Sequence, residues 1–197
     1  LTGSLHAAKA RSSDWTLATS SSSWPPSCTG PADVPRDDGA ILAHLNAAGV
    51  DYVVIGGWAV IAHGYVRATR DIDVLVADTP AIRCQVTAAL AALDATRLDG
   101  TVLMGQMAMP DQGWQVDTHL GRVDVLLEGP PPLDLASVKA DAQPQVIDGT
   151  AVLISGLAHL VAFKRLANRI TDRADLEELE RILGRPLPRL ALPGIDD

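Results

Sequence analysis

The sequence predicts an α/β (α+β) fold, a small mixed β-sheet with helices packed against it and further helices at the C-terminal end. Two observations carry this expectation. Short apolar runs of strand length alternate with segments whose apolar residues recur at helical spacing. Their order is helix, strand, helix, strand, helix, then hairpins, then helices, which suits a layered sheet-and-helix sandwich. The 197 residues suffice for one substantial core.

Taken in order, residues 1–36 hold Ser20–Ser23, Pro25, Pro26, Gly30, Pro31 and Pro35 with little apolar periodicity, and are expected to form a disordered tail. One domain that includes the C-terminal helices is expected over 37–184, followed by a loose tail over 185–197. Asp37 or Asp38 can cap a helix carrying Ile41, Leu42 and Leu45, with Gly49 as its stop signal. Tyr52–Ile55 reads as a buried strand broken by Gly56-Gly57, and 58–63 as a short helix. Asp71–Val76 is a strand, and Thr79-Pro80 opens a helix through Ile82, Val86 and Leu90. Residues 114–119 and 122–127 form an expected hairpin, and Asp148-Gly149 turns a second one. Ser155 is placed as the cap of a helix running to Leu166, and the last helix spans about 171–183, stopped by Gly184 and Pro186.

Composition narrows the function. The net charge is −8, so a broad basic face for nucleic acid is excluded. Seven aromatic residues are too few for a base-stacking platform. No apolar run is long enough to span a membrane. Cys28 and Cys84 make no disulfide framework or zinc motif, so a reducing cytoplasm is the expected location.

The chemistry concentrates in Tyr52–Val76. Side chains alternate along a strand, so Asp71 and Asp73 share one face while Ile72 and Val74 point to the core. Two carboxylates so close repel unless a cation lies between them, and Mg²⁺ suits carboxylates plus phosphate oxygens. Asp124 is the lone charge among the apolar residues of 123–127. If that strand lies beside 71–76, it completes the three-carboxylate arrangement of two-metal phosphoryl transfer. Gly56-Gly57 before a helix allows close approach of a phosphate, and Arg67 and Arg70 supply cations. His63, near the glycine pair, reads either as a nucleotide contact or as a structural residue. His119 shares the alternation of Asp117 and so could border the site.

The ordered set Gly56-Gly57, Asp71-x-Asp73 and Asp124 resembles the nucleotidyltransferase superfamily that includes DNA polymerase β. Gly-Gly-Trp-Ala at 56–59 is similar to bacterial antibiotic nucleotidyltransferases. Arg67-x-Thr69-Arg70-Asp71-Ile72-Asp73 is more similar to compact bacterial enzymes related to AbiEii-type toxins. Lys164-x4-Arg169-x2-Asp172-x2-Asp175 resembles a second signature of that toxin group, with Thr171 where many members have Lys. The resemblance covers roughly 40–183.

It implies that Asp71, Asp73 and Asp124 hold Mg²⁺, two ions by the family pattern, with Mn²⁺ as the alternative. It implies catalytic roles for Lys164 and Asp172, and nucleotide contacts from Gly56, Gly57, Arg67, Arg70, Lys164 and Arg169. The bland reading of Asp172 is a helix cap, and of Asp175 a partner for nearby arginines. The implied reaction moves a nucleoside monophosphate from an NTP to a hydroxyl. As a toxin the protein would act on tRNA beside a cognate antitoxin. The alternatives are an aminoglycoside- or lincosamide-type antibiotic nucleotidyltransferase, and a non-catalytic nucleotide-binding protein of the same fold. On any of these readings the four cations are expected to gather into a locally electropositive pocket.

Overall fold

The computed structural model describes residues 36–192. The expected tail 1–36, apart from Arg36, lies outside the described residues, as do 193–197. Six helices and seven strands follow one another as α1 (Asp38–Ala47), β1 (Tyr52–Val54), α2 (Gly56–Ala62), β2 (Asp71–Val76), α3 (Pro80–Ala91), β3 (Thr96–Arg97), β4 (Trp114–Thr118), β5 (Gly121–Leu127), α4 (Leu135–Asp141), β6 (Gln143–Ile147), β7 (Thr150–Ile154), α5 (Leu157–Ala167) and α6 (Ile170–Leu183).

The strands make one mixed sheet in the order β3-β4-β5-β2-β1-β7-β6. β2 runs parallel to β5 and antiparallel to β1, and β1 runs parallel to β7. Alternation decides what each face does. Tyr52, Val54, Ile72, Val74, Val123 and Val125 form the main core with residues from α1, α2, α3 and α5. The opposite face buries Val53 and Leu75 beneath Leu135 and Val138 of α4. Asp71 and Asp73 share the face of Leu75 but lie nearer the start of β2, where the sheet opens.

Local signals set the ends of the elements. The Asp37 carboxylate accepts from Ala40 N and starts α1, and Thr79 does the same for α3. α2 begins at Gly56, two residues before the position read from sequence, because Ile55 is its N-cap. Ser155 is not the cap of α5. Gly156 takes that position without a side-chain bond, and the buried Ser155 hydroxyl has no hydrogen-bond partner among the described residues.

β3 and α4 were not expected. β3 has only two residues and exists through its pairing with β4. α4 is signalled only by Asp134, whose carboxylate accepts from Ser137 N. After Gly184 no regular element follows among the described residues, yet Leu187 and Leu192 are buried. No helix among the described residues is long and apolar enough to cross a membrane.

Candidate active site

β2 and β5 lie side by side in register, with Asp73 opposite Asp124 and Asp71 opposite Arg122. Same-face alternation and this pairing bring Asp71, Asp73 and Asp124 together. One carboxylate oxygen from each lies within 4.8 Å of the others. None of the three forms an ion pair among the described residues, and the donors that reach them are neutral. Thr69 Oγ1 donates to Asp71 Oδ1 at 3.4 Å, Gly57 N to Asp73 Oδ2 at 3.4 Å, and Gln115 Nε2 to Asp124 Oδ2 at 3.1 Å. Asp124 Oδ1 is buried with no partner.

The electrostatic cost shows in the titration of the carboxyls. Burial, then repulsion from Asp71 and Asp124, pushes Asp73 up from 3.8 to about 6. Burial and then Asp71 raise Asp124 as well, against the hydrogen bond from Gln115. Three clustered, under-partnered carboxylates with an orphaned buried oxygen fit a hard divalent cation.

The glycine pair is explained by the close approach of the two segments. Gly56 has φ +61°, and a Cβ there would lie 2.0 Å from Asp73 Oδ2. A Cβ on Gly57 would lie 2.2 Å from Thr69 Oγ1. Ile55 N bonds the Asp73 carbonyl at 3.0 Å and fixes the turn against β2. The pair therefore makes room for Asp73 and Thr69, and the same turn forms a wall of the cavity in front of the carboxylates.

That cavity, about 460 Å³, is lined on one side by Gly56, Gly57, Asp71 and Asp73. Arg67 and Arg70 line it from the loop before β2, and Lys164, Arg169 and Asp172 from the α5–α6 elbow. Asn168, in the left-handed conformation at φ +47°, turns the chain between the two helices. Lys164 is only 5% exposed, and Asp172 and Asp175 are 1% and 3% exposed. Lys164 Nζ lies 3.0 Å from Asp172 Oδ1 and 2.7 Å from Asp175 Oδ2. Arg67 clasps Asp175 through two bonds of 2.8 Å, and Arg169 Nε meets Asp172 Oδ2 at 2.8 Å.

Asp172 is the third residue of α6 and accepts from Arg169 N, so it caps the helix from inside as well as pairing with Lys164. Burial pushes its carboxyl up, but Arg169 and Lys164 outweigh that and hold it below the usual range. The cavity is thus not electropositive by itself. Its four cations stand beside five carboxylates once Asp124 and Asp175 are included, and Arg67 and Lys164 are already paired. A triphosphate needs divalent cations there to find net positive charge.

Three supporting residues were not expected from sequence. Arg36 donates to the backbone carbonyls of Thr69 and Asp71 while paired with the buried Asp38, which also accepts from Trp58 Nε1 at 2.8 Å. Gln115 reaches Asp124 because the hairpin pairs these two positions, a register that composition does not reveal. Thr69 fills the space left by Gly57. The histidines stand apart from the cavity. His63 bonds the Ser155 carbonyl, and His119 the Leu93 carbonyl, each at 2.9 Å.

Residues 39–125 match the family model described as aminoglycoside-2''-adenylyltransferase. That span includes the glycine pair and all three carboxylates and ends before Lys164. Among solved structures, ANT(2'')-Ia in complex with adenylyl-2''-tobramycin aligns with TM-score 0.50 at 16% identity, over 73% of this chain and 86% of that one. An antigenic nucleotidyltransferase-like protein from Paracoccidioides brasiliensis aligns with TM-score 0.52 at 17% identity, over 73% of each chain. No curated protein matches the sequence. The chain has a nucleotidyltransferase-like fold, and the family match across its carboxylate site indicates a nucleotidyltransferase.

Proposed function

We propose that the protein is a divalent-metal-dependent nucleotidyltransferase that moves a nucleoside monophosphate from an NTP to a hydroxyl of a small, amino-sugar-like acceptor. The carrying observation is the triad itself, three carboxylates met only by neutral donors, two of which, Asp71 and Asp73, line a cavity that Arg67, Arg70 and Arg169 also line. The family match over 39–125, and the structural likeness to an enzyme in complex with adenylyl-2''-tobramycin, support a small-molecule acceptor over tRNA.

In this reading Asp71, Asp73 and Asp124 hold the metal, with Mg²⁺ the first choice for an all-oxygen donor set and Mn²⁺ the substitute. The bound cation supplies charge neutralisation of the triphosphate and a lowered pKa for the acceptor hydroxyl. Asp124 either completes the set that holds the cation or accepts the hydroxyl proton. The acceptor oxygen then bonds to the α-phosphorus as the bond to the bridging oxygen of the β-phosphate breaks, and pyrophosphate leaves. Arg70, which forms no ion pair among the described residues, faces the phosphates with Arg169, which is paired with Asp172 but largely exposed, and Gly56-Gly57 keeps the wall flat against them. The protein contributes position and charge.

A second reading rests on Lys164-x4-Arg169-x2-Asp172-x2-Asp175, whose members gather into one cluster. It gives a tRNA acceptor and a cognate antitoxin. One experiment separates the readings. The protein is incubated with each α-labelled NTP and Mg²⁺, with an aminoglycoside and lincosamide panel or with total RNA. Label on an aminoglycoside supports the proposal. Label confined to RNA overturns the acceptor assignment in favour of tRNA. Mg²⁺–NTP binding without transfer to anything supports the non-catalytic reading.

A further inference from the structure

Arg67, Asp175, Lys164, Asp172 and Arg169 form a continuous string of alternating charge. It starts at the loop before β2 and ends at the α5–α6 elbow. Four of its members line the cavity, but Asp175 does not. Asp175 nonetheless holds two cations, as Asp172 does, one of them Arg67 at the cavity wall. Both its oxygens accept from Arg67, and Oδ2 also meets Lys164. Without it, the Arg67 guanidinium would lose its bidentate partner, and that group also bonds the Ala68 carbonyl and so shapes the loop leading to Thr69 and Arg70.

Resting on the proposed reading of this cavity as a triphosphate site, we infer that Asp175 is a positioning residue for substrate phosphate, acting through Arg67 and not by contact. Three cations share two carboxylates along the string, so one positive charge is left over. Asp175 is buried and absent from the lining, whereas all three cations line the cavity, so that surplus is presented to the cavity. Lys164, held between two carboxylates, belongs to this device as its central pin more than as a free phosphate ligand. The sequence separation of 108 between Arg67 and Asp175 means that this one contact ties the nucleotide-facing loop to α6.

The test is a double-mutant cycle read as equilibrium binding of Mg²⁺ complexes of the four α,β-methylene nucleoside triphosphates, which requires no acceptor. Asp175→Asn, Arg67→Met and the double variant are compared with the wild type, each with its melting temperature. Asp175→Asn is expected to weaken binding about tenfold, the scale for removing a group that orients a ligand-facing residue. The double variant is expected to bind no more weakly than Arg67→Met alone, because Lys164 is still held by Asp172 and Asp175 has no phosphate-facing guanidinium left to position. Asp175→Glu, which keeps the charge that Lys164 requires, covers the case in which Asp175→Asn does not fold. It is expected to fold and to recover part of the affinity lost by Asp175→Asn, or, where that variant is lost, to bind more weakly than wild type and more tightly than Arg67→Met. Multiplicative losses in the double variant, or wild-type affinity in a folded Asp175→Asn, overturn the inference while leaving the proposed function standing. A wild type that binds none of the four analogues removes the triphosphate reading itself.

Discussion

The two walls of the cavity carry charge by opposite rules. On the α5–α6 side every carboxylate is shared between cations at 2.7–3.0 Å, and Asp172 is held below the ordinary carboxyl range. On the β2–β5 side three carboxylates face one another, met by neutral donors at 3.1–3.4 Å, and Asp73 is pushed up to about 6. The first cluster is complete within the chain, and folding alone satisfies it. The second is left short of positive charge, so it is the wall that asks for something from outside. A structural ion-pair network and a metal site both look acidic in sequence, and the partner inventory tells them apart.

The sharpest way to break the contrast is to neutralise one member of each wall. Asp73→Asn removes a charge that is repelled by its neighbours. It should abolish nucleotide transfer, by at least about a thousandfold, while leaving the fold intact and raising the metal-free melting temperature. Full activity in the folded variant would end the metal-ligand assignment. Lys164→Met does the reverse, leaving Asp172 with Arg169 alone and Asp175 with Arg67 alone in a site where both carboxylates are nearly inaccessible. Leaving a buried charge with no partner costs about 3–5 kcal/mol, and the arginines that stay keep the loss below that. Urea unfolding of the two variants should move in opposite directions. A Lys164→Met protein as stable as wild type would show that the string is dispensable to the fold.

How far the sequence could be read follows the same division. The triad needed only strand alternation and one parallel neighbour, so Asp71, Asp73 and Asp124 could be grouped before any coordinates. The string could be matched as a motif, but its pairing partners could not. Asp175 meets Arg67 only because Asn168 turns left-handed and folds α6 back onto α5. The glycine pair was read as a cradle for phosphate, and its immediate cause is the carboxylate and hydroxyl of Asp73 and Thr69 packed against it. β3 and α4 escaped because each depends on tertiary partners. β3 has two residues, and α4 buries only Leu135 and Val138. Ser155 shows the limit of cap signatures, since the next residue, Gly156, occupies the cap position instead.

The uncompensated wall also predicts how stability varies with pH. The Asp73 carboxyl lies near 6 in the folded protein against 3.8 ordinarily, so between about pH 4 and 6 the folded state holds more protons than the unfolded one. Stability from this group is therefore full below that window and lost as pH rises through it, by about 2–3 kcal/mol. Mg²⁺ should restore the loss at pH 7.5 and do little at pH 5, where it must displace a proton. Thermal melts with and without Mg²⁺ at the two pH values check this, with Asp73→Asn as the control that reduces the pH slope to what Asp124 contributes. An equal Mg²⁺ shift at both pH values would mean that the ion binds elsewhere.

The smallest expected effect comes from Gln115, whose amide meets the half-buried Asp124 on the open wall. It lowers the Asp124 carboxyl against burial and Asp71, so Gln115→Ala should raise it further. If Asp124 takes the acceptor proton, the acidic limb of the transfer rate should move to higher pH, because Asp124 must first lose its own proton. Gln115 is exposed, so solvent takes over much of its work, and the change should stay below about 1 kcal/mol, a severalfold loss near pH 6 that disappears above pH 8. The same substitution leaves the string untouched and should not alter the affinity for Mg²⁺–NTP analogues at pH 8. A loss of equal size at every pH would show that Gln115 contacts the acceptor instead of tuning Asp124. The bond at 3.1 Å would then be a consequence of crowding on β4 and β5, and the β2–β5 wall would have no neutral donor acting on its proton acceptor.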